Sequence, residues 1–291
     1  FKEFLLALHE DILVEQMEQH NWKEMDVFHE KLKNYLRQYY YVGGMPEVVK
    51  YYAQTKEIFH VREIQNRILL NYRQDFSKHI PGNLLTKVNL VWDSVPAQLA
   101  KENKKFIYGM LKKGGRAKEF EDAIQWLVDA GLVFRVNRIN KVCMPLKFYE
   151  EFNAFKLYLL DLGLLGAMVD APAKNILIGD NVFKEYKGAF TEQYVAQQIV
   201  ACNVTPKYYN NENSTNEIDF VVQLQSVYPI EVKAEENLKS KSMNTLLNEN
   251  EDMEGWKFSM SSYRTFKQII NIPLYDVEEW ILMYKEKMLE M

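Results

Sequence analysis

The chain has 291 residues, room for two or three domains, and its 47% hydrophobic and 26% charged content is that of a soluble globular protein. No uninterrupted apolar run is long enough to span a bilayer and no signal sequence opens the chain, so a cytoplasmic protein without a membrane partner is expected. Cys143 and Cys202 lack metal-ligand spacing, and the five histidines form no HExxH, which excludes the familiar thiolate and histidine metal sites.

Residues 1–80 read as helical, with Phe4, Leu5, Leu8 and Ile12 at helical spacing and a long helix over 59–77. Between them, Gly43 and Gly44 are placed to stop one helix, and Pro46 to open the next at its first position. Residues 81–172 read as helices followed by a hairpin. An amphipathic helix around 119–130 stops at Gly131, and 132–139 and 155–160 then read as paired strands, the order of a winged helix. The net charge of −4 is unevenly spread, with acidic ends and a basic middle. Residues 101–147 carry eleven Lys/Arg against five Asp/Glu. Lys112, Lys113, Arg116 and Lys118 before the expected recognition helix, with Arg135 and Arg138 on the wing, are the candidate DNA-binding residues. A solvated basic face with no partner explains the charge alone equally well.

Residues 173–291 alternate between helix and strand, as in a small sheet flanked by helices. Segment 189–200 is an amphipathic helix that centres Glu192 on its apolar face, where a carboxylate needs a cation or a proton. Gln193, Gln197 and Gln198 fall on the opposite arc. After a polar turn at 210–216, Glu217-Ile-Asp-Phe-Val-Val222 and Tyr228-Pro-Ile-Glu-Val-Lys-Ala234 alternate as strands. Alternation puts Asp219 opposite the Ile218, Phe220 and Val222 face, and Glu231 and Lys233 opposite the Ile230 and Val232 face. A hairpin turning near Gln225 then pairs Asp219 with Glu231, with Cβ atoms roughly 5 Å apart. Like charges so placed cost stability unless something binds between them, and a divalent metal is the obvious candidate. A helix over 239–248, strands over 256–262 and 269–275, and a helix over 278–288 complete the chain.

Glu192, Asp219 and Glu231-Val-Lys233, in this order, resemble the PD-(D/E)XK nuclease superfamily, although Glu-Ile-Asp stands where Pro-Asp is usual. The resemblance implies a restriction-endonuclease-like α/β/α domain. In it Glu192, Asp219 and Glu231 hold Mg²⁺ or Mn²⁺, and Lys233 aligns or polarises the attacking water during phosphodiester cleavage. The other reading is a catalytically silent nuclease fold serving as an interaction module, with Glu192 paired to Lys233.

The whole chain resembles the C-terminal portion of prokaryotic AAA-type ATPases that end in a nuclease-like domain. Phe1-Lys-Glu-Phe-Leu-Leu-Ala-Leu8, Tyr41-Val-Gly-Gly-Met-Pro-Glu-Val48, Asn175-Ile-Leu-Ile-Gly179, Gly188-Ala-Phe-Thr-Glu-Gln-Tyr-Val195 and Ile272-Pro-Leu-Tyr275 carry this likeness. It implies a multidomain α/β (α+β) chain: a lid-like helical region over 1–80, a winged helix over 81–172 and the nuclease-like domain over 173–291. It also implies that Gly44 and Pro46 descend from a turn near bound nucleotide, although helix stop and restart is the stronger reading of that turn. Gly109–Arg116 has glycines at P-loop spacing without the Lys and hydroxyl that reach phosphate and Mg²⁺. ATP is therefore expected only through an upstream ATPase domain, and Phe1 in place of Met is the start expected of a fragment.

Overall fold

The computed structural model describes residues 1–178, 184–211, 216–234 and 240–289. The predicted polar turn falls largely on 212–215, outside the described residues, as do Gly179 and the first residue of the predicted 239–248 helix. Seven helices come first: α1 (Lys2–Ala7), α2 (Asp11–Glu18), α3 (His29–Val42), α4 (Pro46–Thr55), α5 (Phe59–His79), α6 (Gly82–Leu99) and α7 (Ala117–Asp129). The hairpin β1 (Val133–Ile139) and β2 (Glu150–Leu159) follows, then α8 (Leu162–Met168), α9 (Ala173–Ile178) and α10 (Lys184–Ala201). The last part runs β3 (Lys207–Asn210), β4 (Glu217–Gln223), β5 (Val227–Lys233), α11 (Lys241–Asn248), β6 (Gly255–Ser259), β7 (Arg264–Phe266), β8 (Ile269–Pro273) and α12 (Val277–Leu289). The chain is thus α+β, and among the described residues no helix is long and apolar enough to cross a membrane.

The strands form one eight-stranded mixed sheet in the order β2-β1-β3-β4-β5-β6-β8-β7. This is larger than the small C-terminal sheet expected from sequence. The predicted wing hairpin forms, with Val133 opposite Leu159 and Asn137 opposite Phe155, but β1 also pairs in parallel with β3 through Arg138–Tyr208 and Ile139–Tyr209. An apolar strand with an open edge finds a partner where one is near, and β3 lies beside it. The core draws on all three of the expected regions. One contiguous cluster joins Phe4 and Leu36 with Trp92, Leu127, Tyr158, Tyr194, Phe220 and Trp280. A second lies on the other face of the sheet, where Ile218 and Val221 pack against Met243, Leu246 and Leu247 of α11.

The Gly-Gly turn does what helix punctuation predicts. Gly43 takes φ +75 just after α3, and α4 opens on Pro46. The turn is then locked from across the chain. Asp161 accepts from the Gly44 N–H at 2.7 Å and caps α8 by accepting from Leu164 N–H at 2.9 Å, while Gln65 donates to the carbonyls of Tyr41 and Val42 at 2.9 and 3.0 Å. α8 approaches so closely that a Cβ on Gly163 would sit 2.6 Å from the Val42 carbonyl oxygen. Gly163→Ala is therefore expected to lose stability. Overpacking costs about 1–3 kcal/mol, the helix-propensity gain returns only about 1 kcal/mol, and a lower urea midpoint measures the difference.

Candidate functional site

The β4–β5 hairpin has the predicted register, with Phe220 opposite Ile230, Val221 opposite Pro229 and Gln223 opposite Val227. One residue earlier the strand departs from the expected alternation. Between β3 and β4 the register moves from Lys207–Val221 to Tyr209–Ile218, which inserts one extra residue into β4. Ile218 and Val221 consequently pack on the α11 side, while Phe220 and Val222 join the opposite core with Tyr194, Val195 and Ile199 of α10. The bulge re-aims Asp219. Its carboxylate accepts the backbone N–H of Val232 at 2.8 Å, the place of a ladder carbonyl, and the pairing that would set it across from Glu231 is absent from the β4–β5 ladder.

Glu192 is buried on α10, as its helical position predicts. Its cations come from outside residues 173–291. Lys104, in the loop after α6, places Nζ 2.5 Å from one carboxylate oxygen. The other oxygen accepts from the Tyr158 hydroxyl at 3.1 Å, and Lys156 Nζ lies 3.8 Å away. Lys156 is itself fully buried on β2, donates to Glu217 at 2.6 Å and stands 4.8 Å above the Tyr208 ring. Electrostatics follow this geometry. Burial pushes the Glu192 carboxyl up, but Lys104 and Lys156 outweigh it and hold the group below its ordinary value. Burial followed by the Glu192 charge pushes Asp219 up to about 7. Burial opposes the charge on Lys156, yet Glu192, Glu217 and Asp219 together raise its pKa.

Glu231 and Lys233 make a separate pair, with Nζ 2.7 Å from Oε1. The second Glu231 oxygen is buried without a hydrogen-bond partner. Beside it in the β5–β6 register lies Lys257, 2% exposed, whose pKa burial lowers. The expected three-carboxylate centre is thus divided. Glu192 and Asp219 share one cluster with two lysines, Glu231 pairs with Lys233, and among the described residues no group of three His, Cys, Asp or Glu is placed to hold a metal ion. As arranged, ammonium groups already compensate Glu192 and Glu231, while Asp219 is held by the Val232 N–H. The alternative pairing of Glu192 with Lys233 is not formed either.

The glutamines of α10 also depart from expectation. Gln193 and Gln198 are buried. Gln193 accepts from Leu159 N–H at 2.9 Å and donates to Leu159 O at 2.6 Å, which extends the hydrogen bonding of β2. Gln197 accepts from Leu162 N–H at 3.0 Å and donates to the Tyr39 hydroxyl at 3.0 Å. The helix is enclosed on both sides by protein, so its polar arc meets backbone rather than water.

Lys104, Lys156, Tyr158 and Glu217 were not among the sequence-derived site residues. Lys156 had a visible signal, a charge inside the apolar 155–160 strand, while Lys104 had none. Of the candidate DNA-binding residues, Lys112, Lys113, Arg116 and Lys118 are exposed, Lys112 pairing with Glu119 at 3.0 Å. Arg135 is tied to Glu121 at 2.9 Å and Arg138 to Glu151 at 2.7 Å. Gly44 and Pro46 line a cavity of about 800 Å³ with Phe1, Phe4, Tyr39 and Lys50, but the Gly44 N–H is already used by Asp161.

Residues 33–175 match the model of a domain of unknown function (DUF8612), and residues 187–275 match a second domain of unknown function (DUF4143). The latter is commonly found in the C-terminal region of AAA-ATPase-like proteins. No curated protein and no solved structure matches the chain.

Proposed function

We propose that this chain is the C-terminal portion of an AAA-type ATPase, in which a nuclease-like α/β/α unit serves as a catalytically silent, DNA-interacting module. The reading rests on one observation above all: Lys104 Nζ stands 2.5 Å from Glu192, with Lys156 behind it. A phosphodiester-cleaving centre of this kind needs its carboxylates free for a divalent cation. Here two ammonium groups neutralise them from within. The placement of α10 and α11 on opposite faces of β4 and β5 agrees with the α/β/α layering that the motif resemblance implies. Exposed Lys112, Lys113, Arg116 and Lys118 supply phosphate-binding charge, while nucleotide hydrolysis belongs to an upstream ATPase domain.

Incubation with single- and double-stranded DNA in Mg²⁺ or Mn²⁺, beside Asp219→Ala and Lys233→Ala, tests the silence. The expected result is no cleavage by any of the three proteins. Millimolar Mg²⁺ is expected to leave the melting temperature of the wild type unchanged and to raise that of Lys104→Ala, where Glu192 has lost its nearest cation. Metal-dependent cleavage that disappears in Asp219→Ala would overturn the silent reading in favour of an active nuclease.

A further inference from the structure

The β1–β2 hairpin leaves its ladder at one place. Asn137 pairs with Phe155, but the next pair is Arg138 with Glu151, so residues 152–154 of β2 have no partner in the β1–β2 ladder. Bulges re-aim side chains, and this one turns Phe152 outward, 68% exposed. Phe148, in the turn just before β2, is 82% exposed. Two phenylalanines left this open on one hairpin mark an interaction surface more readily than a solvated loop.

The surroundings decide what kind of partner fits. Arg135 places its guanidinium 3.9 Å from the Phe155 ring centre and donates to the Phe152 carbonyl at 2.8 Å. It also pairs with Glu121 of α7, which ties the bulge to the helix that follows the basic turn. Four acidic neighbours are engaged, Glu119 with Lys112, Glu121 with Arg135, Glu150 with Lys207 and Glu151 with Arg138, while Asp122 on α7 is exposed. Exposed Lys113, Arg116, Lys118 and Lys147 are left to set the field. Open aromatic rings among uncompensated cations complement a polyanion that carries flat apolar groups.

We propose that this face binds single-stranded DNA, with Phe148 and Phe152 stacking on bases while the 112–118 turn and Lys147 hold the phosphates. Bases offer their faces to side chains only when unpaired, whereas a duplex keeps them inside its stack. This deepens the DNA-interacting part of the function proposed above and does not depend on whether the carboxylate cluster is silent.

Fluorescence anisotropy with labelled oligo(dT) in EDTA, against a duplex of equal length, tests the assignment without any cleavage. The single strand is expected to bind more tightly than the duplex. Phe148→Ala and Phe152→Ala are each expected to weaken oligo(dT) binding by about fivefold or more, with unchanged melting temperatures because both rings are exposed. Phe152→Trp is expected to retain binding. Lys113→Ala and Lys118→Ala are expected to weaken binding and to flatten its salt dependence, by about 0.7 in the log–log slope for each phosphate no longer neutralised. Equal binding by the Phe148→Ala/Phe152→Ala double variant, or tighter binding of the duplex, overturns the stacking surface while leaving a DNA-interacting module standing. Absence of binding to either nucleic acid overturns both, and leaves the two rings to a protein partner.

Discussion

Replacing Lys156 by methionine is expected to cost about 3–5 kcal/mol of folding stability, seen as a lower urea midpoint at neutral pH. The side chain has no exposed surface, and its ammonium lies 2.6 Å from Glu217 and 3.8 Å from Glu192. Methionine fills similar space but leaves Glu217 without that donor, and Glu192 with Lys104 as its one remaining ammonium neighbour. Removing one partner of a buried pair costs more than the pair itself contributes, because the orphaned charge stays desolvated. Combining Lys156→Met with Glu192→Gln is therefore expected to recover part of the loss, whereas a pure packing defect would leave the two changes additive. The sheet gives this residue its reach. β2 is an edge strand, and Lys156 crosses from it over Tyr208 of β3 to Glu217 of β4.

The same lysine shows where sequence reasoning stops. The Phe220–Ile230 register followed from two alternating segments and a turn near Gln225, information confined to a dozen or so neighbouring residues. Burial of Glu192 followed from its position on one helix. What a buried carboxylate pairs with is a tertiary fact, however, and Lys104 lies 88 residues before it. The bulge in β4 is equally non-local. Its extra residue is set by how β3 pairs with β4, and it moves Asp219 away from the face that uninterrupted alternation assigns to it. Gln193 and Gln198 mislead for a related reason. Polar residues on one arc of a helix normally meet water, but here a backbone segment and the backbone nitrogen of Phe1 take its place. Lys156 was legible in principle by the argument that singled out Asp219, since both are charges inside apolar strands. The hairpin after α7 was readable as a hairpin; its fusion to β3 was not, because edge pairing leaves no mark on the strand itself.

Stability is expected to decline as pH rises from about 4 to about 7, and Asp219→Asn is expected to remove most of that decline. The folded protein holds the Asp219 carboxyl up at about 7 against an ordinary 3.8, through burial first and the Glu192 charge second. Between those values folding retains a proton that the unfolded chain has released. The contribution is thus fully present below the unfolded pKa and lost as pH rises through the folded one, at up to about 1.4 kcal/mol per unit. Partial exposure of the residue and its coupling to Glu192 reduce this towards about 2 kcal/mol in all. Glu192 acts in a different window. Its lowered pKa contributes stability above the ordinary carboxylate range, lost only as pH falls further. Asparagine keeps an oxygen for the Val232 N–H, so the variant is expected to match the wild type near pH 4 and to exceed it at pH 8. Asp276 is the stronger competing source of such a slope, since it is buried with both oxygens unpartnered and its pKa is pushed well above the ordinary value by burial and then Glu279. Urea midpoints across the pH range separate the sources: a decline that survives intact in Asp219→Asn belongs to Asp276 or to Asp161, whose carboxyl burial also pushes up, and the carboxylate beside Lys104 and Lys156 is then ionised throughout.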